Sequence, residues 1–391
     1  MRVALVHMRH ARTGGTERYL DHLAAHLASR GDEVSVVCRS HEEAPHRAVR
    51  FEVLRPWAVG AGMRMASFAR AVERHVRDEP YDVVYGLGKT WTHDVIRLGG
   101  GCHQTYLDRM GGTVRHKDRL ALGIEARALA PGAYRRVVVN ARMVGEDVAR
   151  RHGVPSDRIR LVYNGVDLDR FHPRKRAGPG AELRKSVGIS EREVAVLFLG
   201  SGYARKGLDL VIEAFRAVVG ERPDARLLVA GRDSDEDRYR RAAAQAGIDT
   251  FTRFLGPRAD AENCFAAADL YVLPTRYDPF ANTTLEALAT GLPVITSRDN
   301  GASELLEEGR TGSVLAALDP TTIGRALVDW CDGDRLAEAS PAARELAERH
   351  PIAETCTASA AILDEVAREK TVSAAGSSEH ARSSEGSGAR A

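Results

Sequence analysis

Short apolar runs without polar alternation, separated by stretches of helical periodicity, recur along this chain and then restart midway. The runs cover 2–8, 33–38, 82–85, 136–139, 194–200, 225–230, 251–255, 270–273 and 293–296. Helical patterns lie between them, as over 16–29 (Leu20, Leu23, Ala24, Leu27) and 207–219 (Leu208, Val211, Ile212, Phe215). Strands that are apolar on both faces and alternate with helices imply parallel sheets covered on both sides. That is a doubly wound α/β architecture. Val194-Ala195-Val196-Leu197-Phe198-Leu199-Gly200 opens a second series much as Val3 opened the first, so two such units are expected.

The expected boundary lies near 167–180, where Arg174-Lys175-Arg176-Ala177-Gly178-Pro179-Gly180 is basic, Gly/Pro-rich and read as loop. This divides the chain into 1–170 and 171–370, with the last helix of the second unit free to pack back on the first. Residues 371–391 are rich in Ser, Gly, Ala and Arg without an apolar period, and are read as a disordered tail. With 43% hydrophobic and 28% charged residues, the rest is a folded chain. Charge is uneven: residues 1–175 hold 30 Lys/Arg and 20 Asp/Glu, the remainder 26 and 34. A basic half points to an anionic partner, and solvated faces of an Arg-rich chain are the competing explanation. The five cysteines are scattered and form no C-x-x-C pair, which argues against a disulfide framework or zinc site and for a reducing compartment. The N-terminus reads as a buried strand rather than a signal peptide, and no run approaches membrane-spanning length, so a cytoplasmic location is expected.

In open α/β sheets, ligands bind at the carboxyl ends of strands, so the loops after strands are the candidate site. His10 to Arg18 is the first such loop. Gly14 and Gly15 let backbone approach a ligand just before a helix N-terminus; an ordinary glycine turn is the alternative. Gly200-Ser201-Gly202-Tyr203-Ala204-Arg205-Lys206-Gly207 is the second. Its glycine spacing is not that of a dinucleotide fingerprint, and the first acid beyond the next strand is Asp233, too distant for NAD ribose recognition. Arg205 and Lys206 are read as standing at a helix N-terminus, where the dipole disfavours cations, which suggests an anion shared between them. The third loop carries Asp278 and, eight residues on, Glu286, with a helix expected to start near Asn282. Thr283-Thr284-Leu285-Glu286 also fits a capping box, a structural explanation for Glu286 but not for Asp278.

Asp278-x7-Glu286 followed by Ala-Leu-Ala-Thr-Gly-Leu-Pro-Val resembles the E-x7-E signature of retaining glycosyltransferases of the GT-B fold, family 4. Tyr163-Asn164-Gly165-Val166-Asp167 through Phe171-His172-Pro173 is similar to that family's interdomain segment, and the Gly14-Gly15 and Arg205-Lys206-Gly207 loops match in order. The Gly14, Gly15, Arg18 pattern resembles lipopolysaccharide-core hexosyltransferases in particular. The chain departs at its first acid, with Asp278 where Glu is usual. The resemblance implies two Rossmann-like domains facing across a cleft, a nucleotide-diphosphate sugar as donor (UDP-linked by expectation), transfer with retention to a glycan or lipid-linked acceptor, and no metal. It places Arg205, Lys206 and Arg170 on the donor diphosphate and Gly15 over it. It puts Asp278 on sugar hydroxyls, Glu286 on the ribose, and Ala281, Asn282 and Thr283 on the donor; the helix start by itself is read as leaving the N–H groups of Asn282 to Leu285 free for an anion.

Asp94 is a first-domain candidate near the reacting carbon, with a helix cap as the alternative. Asp167-Leu168-Asp169 and Asp233-Ser234-Asp235 are not read as metal ligands; the first lies in a turn and the second at an acidic helix start. Residues 109–136 interleave Arg109, Arg115, Lys117, Arg119, Arg127, Arg135 and Arg136 with leucines, which suggests docking at an anionic membrane surface; a solvated helix face is the competing reading. No aromatic-interleaved basic motif supports nucleic-acid binding. A same-fold nucleotide-sugar epimerase and an NAD-dependent oxidoreductase are the rival activities.

Overall fold

The computed structural model describes residues 1–11, 14–111 and 113–385, with side chains as far as Ser373. Arg12 and Thr13 of the first glycine loop, and residues 386–391 of the expected tail, lie outside the described residues.

The first unit runs β1 (Arg2–Val6), α1 (Gly15–Ser29), β2 (Glu33–Cys38), β3 (Val49–Val53), α2 (Gly60–Asp78), β4 (Val83–Gly86), β5 (Val95–Arg97), α3 (His103–Met110), α4 (His116–Ala128), β6 (Arg136–Val139), α5 (Arg142–His152) and β7 (Ile159–Leu161). The second runs α6 (Ala181–Ser186), β8 (Val194–Leu199), α7 (Tyr203–Lys206), α8 (Leu208–Glu221), β9 (Ala225–Ala230), α9 (Glu236–Gln245), β10 (Thr252–Gly256), α10 (Ala261–Ala267), β11 (Leu270–Leu273), α11 (Asn282–Ala289), β12 (Val294–Ser297), β13 (Gly312–Leu315), α12 (Pro320–Trp330), α13 (Gly333–Glu348) and α14 (Ile352–Glu385).

Each unit holds one parallel sheet. The strand orders are β3-β2-β1-β4-β5-β6-β7 and β10-β9-β8-β11-β12-β13. Both reverse direction beside their first strand, at β1/β4 and β8/β11, and such switch points open a crevice at the carboxyl ends. Val3, Ala4, Leu5 and Val6 of β1 and Val196, Leu197 and Phe198 of β8 are fully buried, as strands covered on both faces must be. The nine strands expected from apolar runs are all present within two residues. The short strands β3, β5, β7 and β13 are additional.

Two expectations need correction. The 174–180 stretch read as loop forms helical turns over Pro173–Lys175 and Arg176–Gly180 that lead into α6. The expected disordered tail from 371 is, to Glu385, a continuation of α14. That helix does return to the first domain. Cys356, Ala360, Ile362, Leu363 and Val366 join Leu20, Leu23 and Leu27 of α1 in one apolar cluster. The chain therefore crosses between domains twice, and the crossings touch: Val166 bridges Pro351. A Cβ at Gly165 would sit 2.6 Å from the Ile352 Cα, so only glycine lets the two strands of the crossing pass.

Leu363 is fully buried in this cluster. Leu363→Ala should lower stability in chemical denaturation by ~2–5 kcal/mol, the usual result of truncating a buried leucine. An unchanged midpoint would mean that α14 is not docked on the first domain.

Candidate active site

The carboxyl ends of the two sheets line a cavity of about 500 Å³. It contains Gly15, Arg170, Arg205, Lys206, Asp278, Ala281, Asn282, Thr283 and Glu286, every donor-side residue expected from sequence. It does not contain Asp94. That residue follows β4 in sequence but sits at the amino end of β5, away from the cleft. Its carboxylate accepts the Val84 N–H at 2.9 Å and the Lys370 ammonium at 2.8 Å. Asp94 thus ties α14 to the sheet; neither a place near the reacting carbon nor a helix cap fits, since a strand follows it.

Arg205 and Lys206 occupy the last turn of the short α7, not the start of α8. Cations are favoured there. The anion they share is Asp278. Arg205 Nη1 donates to its Oδ2 at 2.8 Å, and the Lys206 ammonium bonds the same oxygen. Oδ1 accepts the Phe280 N–H at 3.2 Å. Burial alone would push the Asp278 carboxyl up; the Lys206 ammonium and then the Arg205 guanidinium outweigh it and hold the group below its ordinary 3.8.

Glu286 forms no capping box. The α11 N-cap is Ala281, without a side-chain bond. Glu286 instead receives Arg18 Nη2 from the first domain at 2.5 Å. Asn282 accepts from Asn164 Nδ2 at 2.6 Å. The first amides of α11, at Asn282 and Thr283, precede its internal bonding ladder and open on the cavity. A Cβ at Gly15 would lie 3.1 Å from Nδ2 of the Asn282 side chain, so its absence keeps the starts of α1 and α11 close across the cleft. Arg170 pairs with Glu262 at 2.9 Å.

The D-x-D sequences serve backbone. Asp167 accepts the amides of Asp169 and Arg170, and Asp233 those of Tyr203 and Asp235. The cysteines are all buried and free. A larger groove of about 880 Å³ lies along β6, β7 and α14, but Glu365 and Glu369 neutralise its Arg136, and Glu365 also meets Arg160.

Sequence reasoning missed Arg97, Asn140 and Arg258, which also line the cavity. Arg97 ends Val95-Ile96-Arg97 and Asn140 ends Val137-Val138-Val139-Asn140. A polar residue closing a buried run was the available signal.

Fold and cavity together define a two-domain transferase architecture of the GT-B type. The "Glycosyltransferase Family 4" profile matches residues 13–170 and "Glycosyl transferases group 1" matches 180–346. The chain belongs to this glycosyltransferase family. An uncharacterized glycosyltransferase of Methanocaldococcus jannaschii is 27% identical over 58% of this chain, a match spanning only 59% of that relative. A probable transglycosylase of Burkholderia thailandensis is 30% identical over 75% of this chain and 76% of its own. The lipopolysaccharide glucosyltransferase WaaG of Escherichia coli K12 is 25% identical over 78% and 82%. The crystal structure of WaaG superposes with a TM-score of 0.81 at 23% identity, covering 92% of this chain and 99% of that one. HepE of Anabaena in complex with UDP and glucose gives 0.72 at 18% identity, covering 92% and 98%.

Removing one member of a buried ion pair strands the other charge at ~3–5 kcal/mol. The substitution strands two cations, Lys206 almost wholly buried and Arg205 with 28% of its side chain exposed, and an Asn side chain can still accept from one of them. Asp278→Asn should therefore destabilise the ligand-free protein by about 3 kcal/mol at pH 7. The carboxyl titrates lower folded than unfolded, so its contribution is full above 3.8 and is lost as pH falls through the lower folded value. Denaturation of wild type and variant should converge under strong acid; a pH-independent gap would assign Asp278 a purely steric role.

Proposed function

We propose that the protein transfers a hexose from a nucleoside-diphosphate sugar, UDP-linked by preference, to a glycan or lipid-linked acceptor of a cell-surface polysaccharide or lipopolysaccharide, with retention and without metal. The observation that carries this reading is that the pair Arg205 and Lys206 and the open α11 start line one cavity between two sets of strand ends. Transfer breaks a sugar–phosphate bond through an oxocarbenium-like state while negative charge grows on the departing diphosphate. Two cations and free helix amides stabilise that charge where it develops. Asp278 sits beside both cations, one methylene shorter than the family's Glu, and is assigned to the sugar hydroxyls; Glu286 is assigned to the ribose. The UDP and glucose in the HepE complex support the donor class.

Turnover of a panel of nucleotide sugars should persist in EDTA, with product stereochemistry read by NMR. Hydrogen bonds to charged groups contribute ~1.5–3 kcal/mol each. Arg205→Ala/Lys206→Ala should therefore weaken nucleoside-diphosphate binding at least a hundredfold in calorimetry. Unchanged affinity removes the assignment, and an isomerised donor released without acceptor identifies an epimerase instead.

The reading places the enzyme on the inner face of an anionic membrane. Among the described residues no helix is long and apolar enough to cross one. Within the basic segment Arg115, Lys117 and Arg119 are exposed, whereas Arg109, Arg127 and Arg136 pair with Asp299, Glu73 and Glu365. The Gly62 turn of α2 packs on Leu120 of α4, and Trp57 (81% exposed), Val59 and Met63 project from the same end of α2. Cations beside an exposed tryptophan suit an interface with anionic lipid. The protein should sediment with anionic vesicles, not neutral ones, and Trp57→Ser should weaken that binding; equal binding to both vesicle types refutes the placement.

A further inference from the structure

Six buried side-chain nitrogen or oxygen atoms among the described residues have no hydrogen-bond partner. Three of them, Arg97 Nη1, Asn140 Oδ1 and Thr283 Oγ1, belong to residues lining the cleft cavity. Buried polar atoms are almost always satisfied, so each of these three calls for an explanation.

Arg97 is the sharpest case. Its residue is 4% exposed. The guanidinium lies over the Tyr19 ring at 4.1 Å, and Nη2 donates to Asn164 Oδ1 at 2.6 Å. Tyr85, whose hydroxyl meets that of Tyr19, also interacts with the guanidinium, and all three neighbours are neutral. The other cleft cations each face a carboxylate: Arg18 has Glu286, Arg170 has Glu262, Arg205 and Lys206 have Asp278, and Arg258 has Asp260. Among the described residues no ion pair involves Arg97. A guanidinium cannot shed its charge, so its burial calls for an anion.

Asn140 closes the next strand. Leu98 N–H bonds Val138 O, which fixes the ends of β5 and β6 side by side. Asn140 Nδ2 donates to Gly99 O at 3.1 Å, which orients the amide and leaves Oδ1 as an unused acceptor.

We propose that Arg97 and Asn140 form a subsite on the first domain's side of the cleft for a phosphate or carboxylate that bears a neighbouring hydroxyl. Arg97 Nη1 donates to the anionic oxygen, and Asn140 Oδ1 accepts from the hydroxyl. Arg97 and Asn140 belong to the first domain and Arg205 and Lys206 to the second, so the subsite is built from residues other than the cations already assigned. Two sources share this chemistry: the donor's diphosphate with its adjoining sugar, and a phosphorylated or carboxylated acceptor. Naming those sources rests on the transferase reading; the subsite does not.

The test uses the full chain, calorimetry and two substitutions. Arg97→Met removes the charge. Asn140→Asp keeps the size and sets a carboxylate beside Arg97, filling the charge from within. UDP, GDP and ADP are titrated first; glycerol 3-phosphate, a phosphate beside a hydroxyl, is then titrated into protein with and without the nucleotide that binds. One lost bond to a charged group corresponds to about tenfold or more in affinity. A loss of that size for the nucleotide in both variants assigns the subsite to the donor. Unchanged nucleotide binding with loss of glycerol 3-phosphate assigns it to an anionic acceptor. If both ligands bind the variants as they bind wild type, the proposal is overturned and Arg97 is a structural group held by Tyr19 and Asn164. Should Arg97→Met lower the melting temperature, Asn140→Asp decides, because it must lose anion binding without losing stability. Wild-type protein that binds no nucleoside diphosphate sinks the transferase reading, while the glycerol 3-phosphate comparison still decides the subsite.

Discussion

The arrangement depends on how closely two backbone crossings pass. At Gly165 and Ile352 the chain leaves the first domain and returns to it through contacts too tight for any Cβ. That double passage makes α14, sequence-late by some 350 residues, part of the first domain's apolar cluster. It also fixes which ends of the sheets can meet. Parallel strands send all carboxyl ends one way, so two doubly wound units joined at one edge can present both sets of loops to a common cavity. Further ties reinforce the facing. Glu304 of the second domain accepts the first amides of α5 at 2.8 and 2.9 Å and the Tyr163 hydroxyl at 3.0 Å. Arg18 and Asn164 reach Glu286 and Asn282.

The cavity this creates is a place where cations are stored against carboxylates. Each pair is partly withdrawn from water, where charges interact more strongly than at the surface. An anion entering such a site competes for cations already fixed in place, instead of ordering mobile side chains. That is the kind of preorganisation by which enzymes stabilise charge as it develops. Asp278 stands at the centre, because one carboxylate oxygen neutralises both Arg205 and Lys206. Its value to the empty protein is electrostatic, and the same position leaves it beside whatever anion replaces it. Arg97 differs from all of these in having only aromatic and amide neighbours.

Much of the fold was legible because buried parallel strands are apolar throughout. Runs such as Ala225–Ala230 and Leu270–Leu273 announce themselves without help from tertiary contacts. The four strands that escaped are short or broken by polar residues or glycine. β3 carries Arg50 and Glu52, β7 carries Arg160, β5 has three residues, and β13 begins with Gly312 and Ser313. Three of these lie at sheet edges, where one side is free of a neighbouring strand and charged residues are tolerated. The helical tail was illegible for a different reason: Ser- and Ala-rich sequence has no apolar period to read, and α14 continues from a segment anchored by packing.

The site divides along the same line. Gly15, Arg205, Lys206, Asp278 and Glu286 stand out because they follow strands, and the family resemblance then assigned them to one donor site. Asp94 looked equivalent, a carboxylate soon after a strand, yet the loop from β4 runs back to the amino end of β5 before Asp94 is reached. Direction along the sheet, not distance in sequence, decides whether a residue faces the cleft. Arg97 and Asn140 fail the pattern test for the converse reason. Each is a single polar residue ending an apolar run, and taken alone each reads as the point where a strand meets solvent. Only the pairing of β5 with β6 reveals that these two ends are buried neighbours, and that a charge without a counter-charge sits between the domains.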